Sequence, residues 1–141
     1  MKRIFILLSL VLVSAAASCP SAKRVSAYNY MSDGEFFKAK KPIEQAITDA
    51  KTGVDDKTWR YRGQIYVGLA QNDYEGINKA EAIETAIESY QKAMELDVKK
   101  KWERENLSGL AQAQNLAVNM GINAYNEKDF ANSSKLFLVG E

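Results

Sequence analysis

Four positions recur three times along this chain at a fixed step of 47 residues. Phe36, Ile83 and Phe130 form the first series, and Ala39, Ala86 and Ser133 the second. Ile43, Tyr90 and Phe137 form the third, and Ala46, Ala93 and Gly140 the last. Within each copy the positions are three, four and three residues apart, so they share one helical face. Large residues on such a face fill the space between helices, and small ones let two backbones approach. A unit of this kind buries its core by stacking on its neighbours. The chain therefore reads as all-α: Ala, Glu, Lys, Gln, Leu and Ile predominate, and no stretch alternates long enough to argue for a strand.

Each of the three helices has another before it. Ala27-x-x-Tyr30 precedes the first, with Gly34 at the turn; Trp59-x-x-x-Gly63-x-x-Tyr66 precedes the second. Gly121-x-x-Ala124 precedes the third, with Asn126-Glu127-Lys128-Asp129 turning the chain. These strings resemble the tetratricopeptide repeat. Tyr30, Gly34, Phe36, Ala39, Ile43 and Ala46 fall at signature positions in the first unit. Trp59, Gly63, Tyr66, Ala86, Tyr90 and Ala93 do so in the second, and Gly121, Ala124, Phe130, Ser133 and Phe137 more loosely in the third. The resemblance implies antiparallel helix-turn-helix units, about 22–51, 57–98 and 102–141, stacked as a right-handed α-solenoid.

The departures are specific. Arg62 stands where the signature has Leu, and Val98 follows Leu96-Asp97 where Pro is usual. Gln71 to Lys79 makes a long loop inside the middle unit, and a helix over 102–126 opens the third. These insertions account for a step longer than the roughly 34 residues of a standard unit. A HEAT-type array, whose period is close to 47, is the structural alternative. The chain stops four residues after Phe137, with no polar helix to cap the third unit. The expectation is a piece of a longer array, or an open end that self-associates.

The first residues read as a leader rather than as part of the domain. Lys2 and Arg3 precede the apolar run Ile4–Val13 and the small residues of Ser14–Ser18. That order is a secretory signal peptide, expected over 1–18. The repeat domain is then expected over 19–141, in a chain long enough for one modest domain. Ala16-Ala17-Ser18-Cys19 also resembles a weak bacterial lipobox, in which Cys19 would carry lipid. The expected location is accordingly periplasmic or secreted, with a membrane-anchored lipoprotein as the alternative. Contact with a membrane is expected only through Cys19.

The search for chemistry is mostly negative. The chain has no histidine and one cysteine, Cys19, which excludes an internal disulfide and the usual zinc sets. No phosphate loop or nucleophile elbow occurs, so neither cofactor nor enzymatic activity is expected. Glu81, Glu84 and Glu88 share a helix face and read as a solvated surface rather than an acid–base pair. Lys38, Lys40 and Lys41, and the run Lys99–Lys101 before Trp102, read as cations near helix ends. Without Lys2 and Arg3 the 19 basic residues fall to 17, against 18 acidic ones. That balance gives no reason to expect nucleic acid.

Binding is the remaining role. The family resemblance implies a concave surface lined by the first helix of each unit. Counting from the small residues places Arg24, Tyr28 and Met31 there from the first unit, and Arg60, Gln64 and Val67 from the second. Val118, Ile122 and Tyr125 come from the third. Two cations, two tyrosines and several aliphatics suit an extended peptide with some acidic character. Packing against adjacent helices is the competing role for each residue. They do not match the Lys/Asn pattern with which some family members hold a terminal carboxylate. The expected function is a non-enzymatic interaction scaffold for a protein or peptide. The alternative is an envelope lipoprotein with a ligand- or carbohydrate-binding accessory role, built near Tyr28, Trp59 and Tyr61.

Overall fold

The computed structural model describes residues 20–140, and the leader expected over 1–18 and Cys19 lie outside them. The described residues are all-helical. Six helices follow one another: α1 (Pro20–Ser32), α2 (Phe36–Ile47), α3 (Asp56–Gln71), α4 (Lys79–Leu96), α5 (Glu103–Asn126) and α6 (Phe130–Gly140). Helices α1 and α2, α3 and α4, and α5 and α6 form close pairs. Each pair also packs on the next through α2 with α3 and α4 with α5, and α3 touches both α1 and α5.

Local chemistry sets the helix ends. Gly34 turns the chain between α1 and α2 at φ +75°, a left-handed conformation that costs a glycine little. The side chain of Asp55 accepts the Lys57 N–H at 3.1 Å and starts α3. Asn78 accepts the N–H groups of Ala80 and Glu81 at 3.1 and 3.3 Å and starts α4. The buried Asp97 carboxylate takes the N–H of Trp102 at 2.6 Å and of Lys101 at 3.0 Å, fixing the turn into α5.

The repeated positions make up much of the core, though unevenly. Ala39, Ala86 and Ser133 are all buried, as are Ala46 and Ala93. Ile43, Ile83 and Tyr90 are buried too, but Phe130 and Phe137 in the third copy are 58% and 37% exposed. Helix α6 turns Ser133 and Leu136 toward the core, and no further described helix lies beyond its other face.

Three aromatics are seated on glycines. A Cβ on Gly68 would lie 2.3 Å from the Phe36 ring, and one on Gly121 would lie 2.9 Å from Phe137. Tyr90 touches two: a Cβ would meet its ring at 2.8 Å from Gly63 and at 2.3 Å from Gly109. This ring from α4 is therefore wedged between α3 and α5, where only hydrogen leaves room. Arg62 fills its position by chemistry a leucine lacks. Its Nε donates to Glu44 Oε1 at 2.8 Å, its Nη1 donates to Ser89 Oγ at 3.0 Å, and its guanidinium lies over the Tyr66 ring. Residues of α2, α3 and α4 are tied together by that one side chain.

Candidate binding groove

Three hollows follow one another along α3 and α5. The first, about 280 Å³, lies between Met31 on α1, Gln64 and Val67 on α3, and Gln112 on α5. The second, about 500 Å³, is lined by Ser108, Gln112, Asn115 and Asn119 of α5 with Gln71 of α3. The third, about 460 Å³, continues past Leu116, Met120 and Asn123 to α6. Gln71 borders all three, Gln112 joins the first two and Leu116 the last two, so the hollows form one continuous groove. Its only charged lining residues are Lys79 and Glu127, at the α6 end.

The residues expected on this face are split by the structure. Met31, Gln64 and Val67 do line the groove, Gln64 exposed and Val67 buried in its floor. Arg24 does not reach it: its guanidinium bonds the Asp55 carboxylate and lies 3.4 Å from Thr58 Oγ1, tying α1 to the start of α3. Arg60 is 6% exposed, because its guanidinium lies 4.4 Å from the Trp102 ring and bonds Asp56 at 3.2 Å. For Arg24 and Arg60, structural packing is the role the contacts show. Tyr28 is exposed and stacks on Tyr61 with ring centroids 5.0 Å apart.

On α5 the hollows take a different set of residues from the expected one. Val118, Ile122 and Tyr125 are exposed, but none of them lines the hollows. Asn119 and Asn123, one residue on from Val118 and Ile122, do line them, and Asn126 follows on the same exposed stripe. That stripe continues upward through Asn115, Gln112 and Ser108. A sequence signal for it exists: from Asn106 to Asn126 no residue is charged, and seven are Asn or Gln.

The acidic series picked out in the sequence lies on the surface. Glu81, Glu84 and Glu88 are exposed, and among the described residues no group of three acidic, Cys or His side chains could hold a metal ion. No described helix is long and apolar enough to cross a membrane. Lys38 pairs with Glu35 at 2.6 Å and Lys100 with Glu103 at 2.7 Å. The two shifted tyrosines are internal. Burial pushes the Tyr66 hydroxyl up to about 12, reinforced by the Glu44 carboxylate whose Oε1 accepts its proton at 2.9 Å. Burial likewise pushes Tyr90 up to about 12, opposed by the charge of Arg60.

No family model, curated protein or solved structure matches this chain.

Proposed function

We propose that this chain is a non-enzymatic interaction scaffold that holds a protein or peptide along the groove of α3 and α5. The observation that carries this reading is the continuity of the three hollows past Met31, Gln64, Gln71 and Gln112. A long shallow groove with neutral walls suits an extended chain better than a compact metabolite. The reading includes a tetratricopeptide-like right-handed stack of the three helix pairs, supported by the 47-residue series and its buried alanines. It also includes export through the leader 1–18, to a periplasmic or secreted location or to a lipid anchor on Cys19.

The exposed Tyr28–Tyr61 pair favours a second reading, a ligand- or carbohydrate-binding accessory. A photo-crosslinking residue placed in the native host separates the possibilities. At Gln112 it is expected to give a discrete polypeptide adduct that the same residue at Glu84 does not. Equal adducts from both positions, or none from Gln112, would remove the groove from consideration. Intact mass of the native protein checks the leader: an amino terminus at Met1 would refute export.

A further inference from the structure

We infer that the groove reads the main chain of an extended, uncharged peptide through a ladder of side-chain amides; this rests on the peptide-binding reading above. Gln112, Asn115, Asn119 and Asn123 follow one another at steps of three, four and four along the exposed face of α5. Gln64 and Gln71, seven residues apart, stand on the same face of α3 across the groove. Two amides outside the groove are occupied locally: Asn72 donates to the Gly68 carbonyl at 2.7 Å, and Asn78 caps α4. Among the described residues, the six groove amides have no hydrogen-bond partner. Each offers two donors and a carbonyl acceptor without charge. That set matches the alternating N–H and C=O of a peptide backbone, which must be paired when it leaves water.

The dimensions agree. From Ser108 to Asn126 the helix rises about 27 Å, the span of about eight residues of extended chain. Alternate side chains of such a chain point to opposite faces. Those turned inward meet Leu116, Met120 and Met31 on the groove floor, two of them thioethers that adapt to varied shapes. Charge also decides. An acidic peptide would find no cation along the ladder, since Arg24 and Arg60 are held elsewhere and Lys79 stands only at the far end. A polyanion is disfavoured for the same reason. A sugar ring lacks a stacking face, because Tyr90 is 2% exposed and Phe36 is folded against Gly68.

The test is selection from a displayed library of random peptides about 12 residues long against the full chain, beside a neutral glycan array. Selected peptides are expected to be poor in Asp, Glu, Lys and Arg. Their affinity is expected to hold between about 0.05 and about 0.5 M salt, and to fall about tenfold on N-methylation of alternate backbone amides. Asn119→Asp, which keeps the shape and loses the donor, and Asn115→Ala with Asn119→Ala are expected to give comparable losses without changing the helical spectrum. Acidic peptides whose binding fades with salt and ignores the asparagine variants would overturn the ladder while leaving peptide binding intact. Binding only on the glycan array, or no groove-dependent peptide, would overturn both readings.

Discussion

A methyl group on Gly109 would sit 2.3 Å from the Tyr90 ring, well inside contact distance. Gly109→Ala must therefore displace the ring or the helix, and it is expected to destabilise the fold by about 1–3 kcal/mol in denaturant unfolding. Asn106, two turns from any solvent-facing amide of the ladder, is fully buried with both Oδ1 and Nδ2 unpaired. Replacing it by an apolar side chain of similar branching removes that penalty. Asn106→Leu is expected to stabilise by about 1–2 kcal/mol, and a loss of stability in the same assay would contradict this account. Tyr66 and Tyr90 give the fold a defined alkaline limit. Their hydroxyls ionise near 10 in the unfolded chain but are pushed up to about 12 in the folded one. Between those values the folded state holds protons that the unfolded state has released, so stability is full below about pH 10 and falls as pH rises toward about 12. Unfolding curves at several pH values should show this decline, and Tyr90→Phe should flatten it.

At the level of helices, α2, α3 and α4 are joined at Arg62. Exchanging it for the leucine of the repeat signature leaves Glu44 with only its Tyr66 bond and Ser89 with only its bond to the Thr85 carbonyl, whereas exchanging Arg62 and Glu44 together removes the ion pair whole. A double-mutant cycle of Arg62→Leu and Glu44→Gln is expected to show coupling of about 1–3 kcal/mol; additive effects would mean that the pair is incidental. The helices themselves were legible in the sequence where spacing and punctuation agreed. Gly34 marks the first turn, Gln71–Lys79 the long loop, and the last turn falls at 127–129. The small series Ala39, Ala86 and Ser133 identifies the buried face in all three units. The groove was less legible for two reasons. Val118, Ile122 and Tyr125 and the asparagines all lie away from Gly121 and Ala124, on opposite flanks of the exposed arc, and counting from the small residues does not distinguish the flank that faces α3. Arg24 and Arg60 look like binding cations in sequence, and only tertiary contacts reveal that Asp55 and Trp102 occupy them.

At the scale of the whole molecule, the last helix pair exposes several apolar side chains. Phe130 and Leu138 are 58% and 72% exposed on α6, and Ile122 and Tyr125 are exposed on α5. Tyr125 and Phe130 meet edge to face, with centroids 5.4 Å apart, so these two side chains form one apolar patch. Self-association through this patch is expected as a mass that grows with concentration in sedimentation equilibrium, and Phe130→Lys should abolish it. A strict monomer for both chains would dismiss the idea.

Tyr90 reaches from α4 to separate α3 from α5, the two helices that carry the groove walls. The spacing of those walls beside Gly63 and Gly109 is thus set by one aromatic ring, as a shim sets the gap of a vice. Evolution could widen or narrow the channel for a different occupant by editing this buried position, leaving every amide on the surface unchanged.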